Sequence, residues 1–294
     1  MIKTILVPLS GTDEDRRALE AAHSVAQSFG AHLEALYVRP DPIELVRAAG
    51  FGDYGTAAML DDMLQRFEDE VKAALDRART QFSSFLAETG IASREKPEPG
   101  GKTASASWHE EKGDEAEVTA RQARFHDLAV MTRPGDIAEM GAITLESVLM
   151  GSGRPLLVAP PVPLKSLAQH VAVAWKDTAE AARALAAAMP LLAKATTVTV
   201  LEIHEQTTPR AAHPGASLER VVSALGWHGI KATGKLVTPK ETGSPETLLR
   251  SAWAVGADLV VMGGYGHGRL REMVLGGFTR HMIRHSDLPV LMVH

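Results

Sequence analysis

The strongest constraint on this chain is that it carries one pattern twice. Residues 5–22, ILVPLSGTDEDRRALEAA, align with residues 171–188, VAVAWKDTAEAARALAAA. Each is an apolar, β-branched run, then a polar turn, then an Ala- and Leu-rich helical pattern. Thr12 matches Thr178, and Arg17-Ala18-Leu19 matches Arg183-Ala184-Leu185. A second apolar run follows each helix, HLEALYV at 32–38 and TVTVLEI at 197–203. HDLAVMTRPG (126–135) mirrors ADLVVMGGYG (257–266), and the halves close on RPLLVAP (154–160) and LPVLMVH (288–294). Self-similarity of this kind means two copies of one folding unit. The proline-rich PPVPLKS (160–166) suits a stiff join between them. The expected domains are therefore residues 1–160 and 168–294.

Strands that are apolar throughout, alternating with helices, imply a parallel sheet covered on both faces. Right-handed crossovers then give a doubly wound, open α/β sheet in each half. Ligands of such sheets bind beyond the carboxyl ends of the strands, where the strand order reverses. The first half has an extra element. Residues 57–88 place Leu60, Met63, Leu64, Phe67, Val71, Leu75, Phe82 and Phe85 at helical spacing, so a long amphipathic helix is expected. Its stripe reads as core or domain-packing surface, with a partner groove as the alternative. The polar stretch 96–117 reads as a connection with an edge strand near Ala104–Trp108.

Composition narrows the function. A net charge of −5 gives nothing global to draw the chain to nucleic acid or acidic lipid. No apolar run approaches the roughly 20 residues that span a bilayer. MIKTILVPLSG reads as a first strand and not as a signal peptide. Cysteine is absent, which excludes disulfides and thiolate chemistry and fits a cytoplasmic setting.

The stretch MGGYGHGRLREMVLGGFTRHMIRH (262–285) follows the strand DLVVM directly. Gly263 and Gly266 bracket a turn, RLREMVL (269–275) reads as a short helix, and Gly276-Gly277 opens the last helix. Helix N-termini present unpaired N–H groups and a partial positive charge, which suits a phosphate. Turn and cap glycines are the plainer alternative. No G-x-x-x-x-G-K-[ST] occurs, and GYGHG is not the G-x-G-x-x-G of dinucleotide folds.

At these residues the sequence resembles the universal stress protein family in its tandem form. The family motif G-x2-G-x9-G-[ST] is read as Gly263, Gly266 and Gly276, followed by Gly277. The resemblance covers essentially the whole chain. It implies two flavodoxin- or Rossmann-like domains, each with a five-stranded parallel sheet. It also implies ATP or AMP in the cleft, with Mg only alongside ATP. The last strand of each domain would pair with its counterpart, Leu156–Ala159 with Pro289–Val293, making an internal pseudo-dimer. A homodimer through the long helix is compatible with this. Carried over residue by residue, Ala174, Trp175 and Lys176 would line the adenine and ribose side, and Ile203 would contact adenine. Gly263, Gly266, Gly276, Gly277, Phe278 and Thr279 would surround the phosphates.

The departures from the motif matter. Gly277 stands where the family has Ser or Thr, so a hydroxyl donor is lost, and Thr279 is a partial substitute. The family's ribose Asp at the end of the first strand is Ser10 in one half and Lys176 in the other. Such a loss weakens sugar binding by about 1–3 kcal/mol. Lys176 meets a phosphate or points to water; Asp177 reaches the ribose or serves as an N-cap. Trp175 is a pocket residue or plain core. In the first half, Thr132-Arg133-Pro134 replaces Gly263-Gly264-Tyr265. Arg133 can hold an anion, but Pro134 has no N–H to offer, so this domain is expected to be structural.

No catalytic constellation emerges. His281 and His285 share a helix face; they read as cations at a helix C-terminus, with a metal pair as the alternative. His267 reads as a loop histidine and His109-Glu110-Glu111 as solvated surface. The expectation is an adenine-nucleotide sensor or regulatory module acting through the second domain. The alternatives are a scaffold that has lost the nucleotide and, less favoured, a slow ATP hydrolase with no evident base.

Overall fold

The computed structural model describes residues 1–42, 57–133, 139–204, 215–239, 244–264 and 277–294, with backbone alone at 57–60 and 139–140. The chain separates into two compact units, Ile2–Met131 with Ala138–Ser152, and Thr132–Ile137 with Gly153–His294.

In the N-terminal unit the order is β1 (Thr4–Leu9), α1 (Asp15–Phe29), β2 (His32–Arg39), α2 (Ala57–Thr89), β3 (Ala92–Ser93), β4 (Ser105–Lys112), α3 (Glu115–Ala123), β5 (Leu128–Thr132) and α4 (Glu139–Gly151). The strands lie in the order β3-β4-β2-β1-β5, all parallel. Ile5, Leu6, Val7, Leu33, Leu36 and Val130 are fully buried, as expected of strands covered on both faces. Helix α1 ends at Gly30, whose left-handed backbone (φ 58°) lets its N–H return to the Ala26 carbonyl.

The long helix is present, and its C-terminal half does most of the packing. Leu75, Ala78, Phe82 and Phe85 are buried, while Met63, Leu64, Phe67 and Val71 are half-covered. The edge strand expected near 104–108 needs correction. Strand β4 is eight residues long and pairs with β2 from His32↔Ser105 to Arg39↔Lys112, with only two-residue β3 outside it. Its charged second half hid it, because that end runs out to a partly exposed rim.

The C-terminal unit runs β6 (Leu156–Ala159), β7 (His170–Trp175), α5 (Ala179–Leu192), β8 (Thr197–Ile203), α6 (Ala216–Trp227), β9 (Ala232–Val237), α7 (Ser244–Ala254), β10 (Leu259–Gly263), α8 (Gly277–His285) and β11 (Val290–Val293). Its strand order is β6-β11-β10-β7-β8-β9. Five strands are parallel, and β6 runs antiparallel to β11 through Leu156↔Met292, Leu157↔Leu291 and Val158↔Val290. This is the strand pairing the resemblance implies. It also explains why β6, read from sequence as the end of the first repeat, packs with the C-terminal strands.

Candidate functional site

In the C-terminal unit the chain leaves β7 for β8 on one side and later returns to β10 on the other. The strand order therefore reverses at β7, and the crevice for a ligand lies beyond the carboxyl ends of β7 and β10. Parallel register brings the ends of three strands together there: Ala174 faces Met262 on β10, and Trp175 faces Glu202 on β8.

Ala174 and Trp175 end β7 half-buried, and Ile203 ends β8 half-buried. Lys176 and Asp177 lie exposed in the following turn. Asp177 is not the N-cap. Thr178 is, with an extended backbone and a hydroxyl that accepts from the Ala181 N–H. The matching Thr12 does not cap α1, whose N-cap is Glu14 without a side-chain bond. Gly263 ends β10, Gly277 opens α8 exposed, Phe278 is half-buried, and Thr279 is buried, 3% exposed. Gly266, Gly276, His267 and the stretch 269–275 lie outside the described residues.

The glycines differ in what requires them. A Cβ on Gly263 would come within 2.7 Å of the Ala181 nitrogen, so helix α5 passes too close for a side chain. A Cβ on Gly277 would meet nothing within 4 Å. Gly263 has a packing reason to be glycine; Gly277 has none among the described residues.

Sequence reasoning missed a hydrogen-bonded chain here. The Trp175 indole N–H donates to Ser217 Oγ at 3.3 Å, and Ser217 Oγ donates to Glu202 Oε1 at 3.3 Å. Trp175 is thereby tied to the start of α6 and is more than core filler. Glu202 Oε2 is buried and has no hydrogen-bond partner among the described residues. A glutamate in the otherwise apolar TVTVLEI run was the available signal.

The corresponding end of the N-terminal unit is built differently. The Asp15 carboxylate, 3% exposed, accepts from the Ser10 and Gly11 backbone N–H groups at 3.0 and 2.7 Å and from the Ser10 hydroxyl at 3.0 Å. The protein's own carboxylate takes the amides that an incoming anion would need. Burial pushes this carboxyl up, against the downward pull of those bonds. Asp15 aligns with Ala181 of the second repeat; a charge at a position that is apolar there was the missed signal. Helix α2 also closes on this turn. Arg77 Nε donates to the Gly11 carbonyl at 2.9 Å, and Gln81 Nε2 donates to the Thr12 carbonyl at 3.0 Å. A cavity of about 420 Å³ remains between the ends of β1 and β2, helix α2 and Glu115.

Glu110, Glu111, Arg133 and His281 depart from the sequence reading. Glu110 and Glu111 are not simply solvated: Glu110 accepts from Trp108 and Arg79, and Glu111 accepts from Arg121. Arg133 points its guanidinium toward Ser286 and Asp287. The His281 and His285 rings lie 4.5 Å apart, and burial, then the neighbouring His285, pull His281 below its ordinary value. A His281 cation at the helix end is therefore disfavoured. Among the described residues no group of three or more potential ligands is placed to hold a metal ion. No described helix is long and apolar enough to cross a membrane.

The sequence pattern of the universal stress protein family matches this chain twice, at residues 1–159 and 168–294. The universal stress protein Slr1230 of Synechocystis is 24% identical over an alignment covering 99% of each chain. The crystal structure of a universal stress protein from Archaeoglobus fulgidus covers 99% of this chain and 95% of its own, with 18% identity and a TM-score of 0.70. A second such structure, from Pseudomonas aeruginosa, covers 99% and 93% with 15% identity and a TM-score of 0.55. At these identities the structural matches speak for the fold.

Proposed function

The chain belongs to the universal stress protein family, and from that premise we propose that its C-terminal unit is an adenine-nucleotide-binding regulatory module. The observation that carries this reading is the end of β8. Glu202 holds one carboxylate oxygen on Ser217 and keeps the other buried and unclaimed by the described residues, beside Trp175. A buried, unsatisfied carboxylate oxygen costs free energy until a donor reaches it. Ribose hydroxyls are such donors. In this reading Glu202 takes over the sugar-binding task of the Asp that Lys176 replaces. Ala174, Trp175 and Ile203 border the adenine side, and the amides of the glycine stretch, with Gly263, Gly266, Gly276 and Gly277, receive the phosphates. Phe278 and Thr279 join them around the phosphates in this reading, and Mg accompanies the nucleotide only as ATP.

The scaffold alternative has its own support in Gly277, which lacks the family hydroxyl, and in the exposed Lys176. Glu202→Gln tests the nucleotide reading at its carboxylate. Nucleotide affinity measured by calorimetry falls about tenfold if Glu202 accepts from the sugar, since hydrogen bonds to charged groups contribute about 1.5–3 kcal/mol. Unchanged affinity removes Glu202 from the site.

A further inference from the structure

We propose that the cavity of the N-terminal unit is a second ligand site, and that it takes a small organic cation with an apolar body. Two observations exclude a nucleotide phosphate at this end of the sheet. The Ser10 and Gly11 amides are already spent on Asp15. Helix α2 also approaches so closely that a Cβ on Gly11 would sit 2.3 Å from the Ala74 carbonyl oxygen.

What remains is a cavity of about 420 Å³, within the size range of small-molecule sites. Its lining mixes polar groups with an apolar patch formed by Leu9 and Val38 from the strands and Phe67 from α2. Its charged lining is Glu115, Glu70 and Arg77, with Asp15 behind Ser10. Two carboxylates therefore share the cavity with one guanidinium, and that guanidinium is engaged by the Gly11 carbonyl. The Tyr37 hydroxyl donates to the Val71 carbonyl at 3.2 Å, so it is not a free donor for an anion. Glu115 accepts one bond from Thr144, at 3.3 Å. Burial pushes the Glu115 carboxyl up, Thr144 opposes this, and Asp15 adds to the rise. A bound ammonium would relieve that strain by pairing with Glu115, while its apolar body covers Leu9, Val38 and Phe67.

The test uses the full chain and two probes of equal ring size and opposite charge, phenethylamine and phenylacetate. Calorimetry reads affinity, and amide NMR shifts at Leu9 and Val38 report the place. The site predicts that phenethylamine binds and shifts those amides, that phenylacetate does not, and that Glu115→Gln weakens the amine about tenfold. Glu70→Gln, on the exposed face of α2, leaves the fold intact and weakens it less, in the same direction. Equal binding of both probes, no shift at Leu9 and Val38, or undiminished amine binding in both variants overturns the proposal.

Discussion

At the residue scale, two carboxylates show how far burial departs from sequence expectation. Asp15 and Glu115 both have raised folded-state values, with desolvation the largest cause in each. A raised carboxyl favours the protonated fold, so its stabilising contribution is full in acid. That contribution is lost as the pH rises through the folded value. Glu115→Gln removes the ionisable group. The variant therefore gains stability relative to wild type near neutral pH, and the gain shrinks as the pH falls toward the ordinary glutamate range. Urea melts of both proteins across that window check it; a gap that widens on acidification contradicts the account. Gly277 offers a complementary residue-scale prediction. No described residue lies within 4 Å of its missing Cβ, so Gly277→Ser restores the family hydroxyl without meeting any of them. Nucleotide affinity should rise about fivefold or more, in line with a net hydrogen bond of about 1 kcal/mol. Calorimetry reads this directly, and unchanged affinity places the phosphates elsewhere.

At the scale of elements, the sequence was clearest where periodicity and burial agree. The apolar runs at 5–9, 171–175 and 259–263 read as strands because both faces are covered, and they are. Helix α2 was legible from its apolar spacing, but what it covers was not: nothing in its own residues states that Ala74, Arg77 and Gln81 close on the β1–α1 turn. Strand β4 was half-hidden because Glu110, Glu111 and Lys112 sit on its exposed end, where side chains make ion pairs and no alternating pattern survives. The Ser217–Glu202 contact joins residues of different elements, so no local pattern announced it. The α2 closure makes a prediction at its own scale. Gly11 combines a positive φ of 79° with the Ala74 contact, so Gly11→Ala meets both strain and overlap. It should cost about 2–4 kcal/mol in denaturant melts. A loss below about 0.5 kcal/mol would mean that α2 does not press on this turn.

For the whole molecule, one folding unit used twice has diverged at the same place in its two copies. Each copy gathers its strand ends at the switch in strand order. In the N-terminal copy an internal carboxylate and the long helix α2, which follows β2 as the shorter α6 follows β8, occupy that end. In the C-terminal copy the described residues leave Glu202 with an open oxygen and α8 with an uncrowded first residue. The repeat made this architecture readable from sequence; the buried carboxylates of Asp15 and Glu202 show only in the folded contacts. In the proposed reading the C-terminal unit takes an adenine nucleotide. Titrating the full chain with ATP, ADP and AMP by calorimetry, up to millimolar concentration, tests it most directly. Saturable heat with one nucleotide per chain is expected. A flat titration with all three would contradict it and leave the fold serving as a scaffold.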